Sequence, residues 1–124
     1  MGLTRMPAPL VFFDIAGPDL AALAAFYKAV FDWDSGPTGA LEVQVNGPGP
    51  GRFSGTFRQD PADCMLYFGV PDVTAALEQV VAHGGGLIAP RFAVPGVVIL
   101  GLFTDPAGNR VGLVETEGGK AKIP

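Results

Sequence analysis

Few side chains in this sequence could do chemistry, and the two most reactive types each occur once, as His83 and Cys64. A zinc site needs several His, Cys or carboxylate ligands, and no acidic or cysteine partner stands near His83. A cysteine nucleophile needs a base that forms its thiolate, and no histidine is placed to activate Cys64. We therefore expect His83 to end a helix, where the helix dipole favours it, and Cys64 to be a plain buried or edge cysteine.

Asp14 is the main polar candidate because it interrupts an apolar strand that we predict over residues 10–16. Side chains alternate along a strand, so Asp14 shares one face with Phe12. A carboxylate between apolar walls is desolvated, which suits it to general acid or base chemistry or to holding an amine or hydroxyl group of a ligand. In the structural alternative, Asp14 hydrogen-bonds the backbone or a side chain such as Arg52 or Arg58 and holds the two modules together. The sequence leaves both alternatives open.

The elements that must position Asp14 belong to an internal repeat. A strand, a Pro-Asp-hydrophobe turn and a helix occur over residues 11–33 and again over residues 64–87, with Asp19 matching Asp72. A repeated strand–helix pattern indicates two equivalent modules, neither of which buries its apolar face alone. The alignment pairs Phe12 with Met65 and Asp14 with Tyr67.

Alternation and turn residues predict the remaining elements. Strands are expected over residues 10–16, 41–46, 52–58, 65–70, 87–88, 96–104 and 110–115. Asp19 and Asp72 are expected to cap two helices, which end near Phe31 and at the glycines 84–86. The apolar stripes that the helices should bury are Leu20, Leu23, Ala24, Tyr27, Val30 and Phe31 in the first and Val73, Leu77, Val80 and Val81 in the second. Residues 117–124 are expected to be a frayed tail.

Composition narrows the class of partner. The formal net charge of −4 argues against nucleic acid or an anionic membrane, because both need a cationic face. One cysteine cannot form an internal disulfide, which suits a reducing compartment. We find neither a signal peptide nor an apolar run long enough to span a membrane. A soluble cytoplasmic protein of one domain is therefore expected.

At this point the chain resembles a known superfamily. The segments FFDIAGPDLAALAAFYKAVFDW, YFGVPDVTAALEQVVAHGGGLI and FTDPAGNRVGLVE are similar to those of vicinal oxygen chelate proteins, which include glyoxalase I, bleomycin-resistance proteins and extradiol dioxygenases. The resemblance covers roughly residues 10–116. It implies an α+β fold of two βαβββ modules, about 10–59 and 64–116, that form a curved sheet around a shared cavity with the helices on the outer face. It also implies a homodimer.

The resemblance further implies where a metal ion would bind. Superfamily enzymes usually hold a divalent metal through His or Glu, and the matching positions here are Phe12, Met65 and Gly112, with the fourth at Ser54 or Gly55. A phenyl ring has no lone pair, a thioether is soft, and glycine has no side chain. We therefore expect no metal and no other cofactor. Other side chains whose orientation alternation does not fix are Glu42, Gln44, Thr56 and Arg110, and Arg91 is expected at the rim or in solvent.

Three functions follow from this reading. The first is a binding protein for a small, largely apolar organic molecule, held in a metal-free cavity by Phe12, Asp14, Ser54, Met65, Tyr67 and Gly112. The second is a metal-independent lyase or isomerase in which Asp14 is the acid or base and Tyr67 or an arginine stabilises developing charge. The third is a divalent-metal glyoxalase or dioxygenase, which the vacated ligand positions disfavour. We favour the first, and the sequence does not decide whether any reaction is catalysed.

Overall fold

The computed structural model of the protein describes residues 7–35, 40–44 and 52–124. Its elements in chain order are β1 (Leu10–Gly17), α1 (Leu20–Phe31), β2 (Ala40–Gln44), β3 (Arg52–Gln59), β4 (Asp63–Val70), α2 (Val73–Ala82), β5 (Gly86–Val94), β6 (Val98–Thr104), β7 (Arg110–Glu117) and β8 (Lys120–Ala121). The chain divides into two compact units, the first over Val11–Leu66 and the second over Tyr67–Pro124 together with the N-terminal residues up to Leu10. The predicted α+β class is confirmed.

The first unit contains a mixed sheet in the order β2-β3-β1. Strand β3 pairs with β1 in parallel and with β2 in antiparallel orientation. Helix α1 covers one side of this sheet, where the ring of Tyr27 stacks on that of Phe57 with 5.6 Å between centroids. Alternation then places Asp14 and Arg58 on the opposite side. We call the side of each unit's sheet that its helix does not cover the helix-free face.

The second unit has the full predicted order of β4, α2, β5, β6 and β7. Its strands follow the order β4-β7-β6-β5, with β4 and β7 parallel and the other pairs antiparallel. Val73 and Leu77 of α2 pack with Leu113 of β7 in a buried core. Since Leu113 faces the helix, its neighbours Gly112 and Val114 lie on the helix-free face.

Both helices begin where the sequence predicts. The carboxylate of Asp19 accepts a hydrogen bond from the backbone N–H of Ala22 at 3.0 Å, and that of Asp72 accepts one from Ala75 at 3.0 Å. Such caps satisfy N–H groups that have no partner within the helix. Helix α2 ends at Ala82, with His83 as its C-cap, which confirms the expectation for the single histidine.

No residue of α1 is buried: the first part of the predicted stripe is half-buried, and its end is exposed. Val30 is 55% exposed and Phe31 is 57% exposed. The chain turns sharply at Asp32, whose φ of 57° is left-handed, and the next residue, Trp33, stacks on Tyr27 at 5.2 Å. Trp33 therefore covers the space that the last turn of the helix was expected to fill. In α2, Val81 is likewise 56% exposed, whereas Val73 and Leu77 are buried as predicted.

Two segments are more ordered than the sequence suggested. Strand β5 runs over nine residues instead of two, and irregular register against β6 around Ala89 accommodates Pro90, which cannot donate to a ladder. The tail is not frayed, because β8 pairs with β7. Gly118 and Gly119 both have positive φ, 61° and 81°, as the tight two-residue hairpin turn between these strands requires.

Candidate functional site

In the first unit, Phe12, Asp14 and Ser54 lie on the helix-free face. Parallel pairing sets Phe12 opposite Ser54 and Asp14 opposite Thr56. Phe12 is half-buried and Ser54 is exposed, whereas Asp14 and Met65 are each only 3% exposed. The side chains of Glu42 and Gln44 lie outside the described part of the structure.

The strand register bears on whether Ser54 or Gly55 is the fourth position of the predicted site. A Cβ atom added at Gly55 would lie 2.3 Å from the ring of Phe13, on the side that faces α1. Gly55 therefore points away from the helix-free face, and Ser54 points toward it. The same register pairs Thr56 with Asp14 just as Gly112 pairs with Tyr67 in the second unit, so Thr56 joins the candidates.

Asp14 forms an ion pair with Arg58. The guanidinium Nε and Nη2 donate to Oδ2 and Oδ1 of Asp14, both at 3.4 Å, and the side chain of Asp14 is 4% exposed. Arg58 also donates through Nη1 to Asp60 and lies 3.7 Å from Asp63. The pair compensates a buried charge that would otherwise cost several kcal/mol. The structural alternative for Asp14 named Arg58 as a possible partner, but both residues lie in the first unit, so this ion pair does not join the two modules.

In the second unit, Tyr67 lies against Gly112. The two residues are partners in the parallel pairing of β4 and β7. A Cβ atom added at Gly112 would lie 2.2 Å from Cδ2 and 2.3 Å from Cε2 of Tyr67. The ring therefore occupies the space that a side chain at position 112 would need. Neighbouring positions on the same face are apolar, because Leu100 pairs with Val114 and Leu102 pairs with Gly112.

A second buried carboxylate, Glu115, is not among the candidates that the sequence predicted. Its Oε1 accepts hydrogen bonds from the backbone N–H of Val73 at 3.1 Å and from Nε of Arg91 at 2.9 Å. Its Oε2 accepts from Nη2 of Arg91 at 2.8 Å and lies 3.8 Å from Nζ of Lys122. The hydrogen bonds from Arg91, followed by that from Val73, outweigh burial and lower the pKa of Glu115 to about 2.

The position of Glu115 makes it structural. It lies on the side of β7 that faces α2, where it holds the first residue of the helix. Arg91, expected at the rim or in solvent, instead joins the edge strand β5 to this carboxylate while 41% of its side chain stays exposed. Neither alternation nor a motif predicts this pair, since its members are 24 residues apart.

A shallow groove of about 380 Å³ lies between α2 and β5 on the helix-covered side of the second unit. Its walls are Thr74, Leu77, Glu78, Val81, Leu87, Pro90 and Arg91. None of these residues is among the sequence candidates except Arg91. The groove and Tyr67 are therefore on opposite sides of the second unit's sheet.

The side chains at the superfamily's metal positions do not fit a metal ion. Phe12, Met65 and Gly112 offer no hard donor, and the ring of Tyr67 covers Gly112. Within residues 7–35, 40–44 and 52–124, no group of three or more His, Cys, Asp or Glu is placed to hold an ion. Cys64 is exposed. Neither of the described helices is long and apolar enough to cross a membrane.

The chain is similar to several known proteins. Residues 11–114 match the model of the glyoxalase-like domain family. The anthracycline biosynthesis protein DnrV of Streptomyces peucetius is 28% identical over 86% of this chain, and DauV of Streptomyces sp. (strain C5) is 27% identical over 86%. The match covers 46% of either relative, so the chain spans about half the length of the curated relatives it matches.

Solved structures share the fold at low sequence identity. A methylmalonyl-CoA epimerase in complex with methylmalonyl-CoA and NH4+ has a TM-score of 0.64 and 17% identity, with 93% of this chain and 99% of that chain covered. The protein BH1468 of Bacillus halodurans C-125 has a TM-score of 0.63 and 9% identity, with 94% and 100% covered. Together with the family match, these likenesses establish that the chain belongs to the glyoxalase-like domain family and has the vicinal oxygen chelate fold.

Proposed function

We propose that the chain binds a small, largely apolar organic molecule on the helix-free face, without a metal ion. The observation that carries this proposal is the composition of that face. In the first unit it bears Phe12, and in the second it bears Tyr67, Leu100 and Leu102, all of them half-buried. Ligand sites are typically apolar surfaces with a few fixed polar groups.

Asp14 supplies the fixed polar group in this proposal. Because Arg58 compensates its charge, Asp14 is better suited to accept a hydrogen bond from a ligand's hydroxyl or amine than to remove a proton from carbon. The ion pair therefore favours binding over the lyase or isomerase alternative. The curated relatives named for anthracycline biosynthesis make polycyclic aromatic compounds reasonable first ligands.

A thermal-shift titration tests the proposal. We expect 2-naphthol and other small apolar compounds to raise the melting temperature of the protein, since a ligand at ten times its Kd stabilises the native state by about 1.4 kcal/mol. Tyr67→Ser should abolish most of this shift. Val81→Ser, on the exposed helix-covered side, is the matched control and should retain it. If no apolar compound shifts the melting temperature, the proposal is wrong.

The metal and the reaction are tested separately. We expect elemental analysis of the purified protein to find less than one equivalent of zinc, nickel or iron, and one bound equivalent would contradict the metal-free proposal. In the binding function, Asp14→Asn should weaken ligand binding, and no turnover is expected of either protein. If a substrate is found whose turnover Asp14→Asn abolishes in a folded protein, the enzyme alternative replaces the binding function.

The homodimer also belongs to this proposal. The resemblance to vicinal oxygen chelate proteins supports it. The curated relatives are also about twice as long as the matched segment, so each has room for two such segments in one chain, as a homodimer has in two chains. Gel filtration with light scattering should give twice the mass of the chain. A monomer mass would contradict this part of the proposal and leave the ligand site untouched.

A further inference from the structure

The close approach of Tyr67 to Gly112 depends on the absence of a side chain at position 112. Side chains in a sheet normally stand roughly perpendicular to it, and neighbouring strands lie about 4.7–4.9 Å apart. Here the Cδ2–Cε2 edge of the ring lies within 2.3 Å of the ideal Cβ position of Gly112. The ring of Tyr67 therefore leans across the neighbouring strand, and only glycine leaves room for it.

This arrangement determines how the helix-free face meets a ligand. A ring that leans over the backbone stays closer to the sheet than an upright ring, which projects from the surface and blocks part of it. Aromatic pairs prefer offset stacking or edge-to-face contact. A ring that lies low over the sheet is therefore suited to offset stacking with a flat ligand.

We infer that Gly112 is a specificity-determining residue that makes the site prefer flat aromatic ligands, because it lets the ring of Tyr67 lie low against the sheet. This inference rests on the proposed binding function and adds the class of ligand to it. Aromatic stacking adds about 0.5–1.5 kcal/mol beyond area burial, which corresponds to a preference of roughly 2- to 12-fold in Kd.

The first unit contains a natural control for this inference. At Gly55, an added Cβ would lie 2.3 Å from the ring of Phe13, so the local crowding is the same. That ring, however, faces the helix-covered side, where Trp33 lies 5.9 Å away. Gly55→Ala therefore imposes a similar steric change without touching the helix-free face.

The experiment compares two ligands with the same carbon skeleton. Calorimetric Kd values for 2-naphthol, which is flat, and decahydro-2-naphthol, which is saturated and puckered, are measured for the wild type, Gly112→Ala and Gly55→Ala. We expect the wild type and Gly55→Ala to prefer 2-naphthol by roughly 2- to 12-fold and Gly112→Ala to lose that preference. Equal preference in Gly112→Ala and the wild type would overturn the inference, as would equal loss in Gly55→Ala.

Two further variants decide the matter if Gly112→Ala does not fold. Tyr67→Leu keeps the glycine and removes the ring, so its two Kd values should become equal, whereas Tyr67→Phe should keep the preference. A Tyr67→Leu protein that still prefers 2-naphthol contradicts the inference. Binding of both ligands by the wild type with equal Kd refutes the role of Gly112 and leaves the proposed function standing, whereas binding of neither refutes both.

Discussion

Replacing Arg91 with methionine should destabilise the protein measurably, because Arg91 is the main partner of the buried carboxylate of Glu115. The two side chains share hydrogen bonds of 2.9 and 2.8 Å, and Glu115 is 5% exposed. A hydrogen bond to a charged group contributes about 1.5–3 kcal/mol when it is buried. Since 41% of Arg91 is exposed, solvent screens the pair, and Val73 still donates to Glu115. We therefore expect the free energy of unfolding to fall by about 1–3 kcal/mol.

The dependence of this contribution on pH has a definite sign. The pKa of Glu115 is lowered from 4.5 to about 2 in the folded protein, so the unfolded chain takes up a proton first as the pH falls. The stabilisation is complete above pH 4.5 and is lost as the pH falls toward 2. Urea unfolding of the wild type and Glu115→Gln should therefore show a stability difference that narrows from pH 4.5 to pH 2.

Matched variants separate this pair from general charge effects. Glu117→Gln removes an exposed carboxylate from the same strand and should change stability by less than about 0.5 kcal/mol. The Arg91→Met and Glu115→Gln double variant should lose less than the sum of the single losses, because both remove one interaction. Additive losses, or a difference between wild type and Glu115→Gln that is constant from pH 6 to pH 2.5, would refute the reasoning.

Three other variants test the packing and the caps, each by urea unfolding. Asp72→Ala should cost about 0.5–2 kcal/mol because the N–H of Ala75 loses its acceptor, and Asp72→Ser should recover most of it; equal stability of all three proteins would contradict the cap. Gly101→Ala should cost about 1–3 kcal/mol, because the new Cβ would lie 2.6 Å from Val73, whereas a neutral effect would show that the core has room. Arg58→Met should cost about 1–3 kcal/mol by removing the two hydrogen bonds that Arg58 donates to the buried carboxylate of Asp14, and Asp14→Asn in the same chain should restore part of the loss; no recovery would contradict the ion pair.

Local signals predicted the secondary structure well where the cause was itself local. Asp19 and Asp72 each precede a helix and cap it through an N–H three residues on, which a short window of sequence contains. The hairpin of β7 and β8 was also local, because Gly118-Gly119 is a typical turn pair, but the polar character of the tail concealed it. The exposure of Phe31 could not be predicted from a short window of sequence, because it depends on the path that the chain takes after the left-handed residue Asp32.

The candidate site divides in the same way. Alternation alone predicted that Phe12 and Asp14 share one face of the strand. In the structure, this face is the helix-free face. The sequence could not predict which residues of neighbouring strands lie side by side. The contact of Tyr67 with Gly112, for example, depends on the register between β4 and β7. The contact between Arg58 and Asp14 was one of several that the sequence allowed, since 44 residues separate the two.

The stack of Trp33 on Tyr27 gives the protein an internal reporter. Trp33 is the single tryptophan, it lies in the first unit, and the tyrosine ring is 5.2 Å away. Its emission therefore follows the melting of the first unit alone, while far-ultraviolet dichroism follows both helices. Coincident transitions by the two probes would mean that the halves of this repeat unfold as one cooperative body, and separated transitions would mean that each half persists without the other.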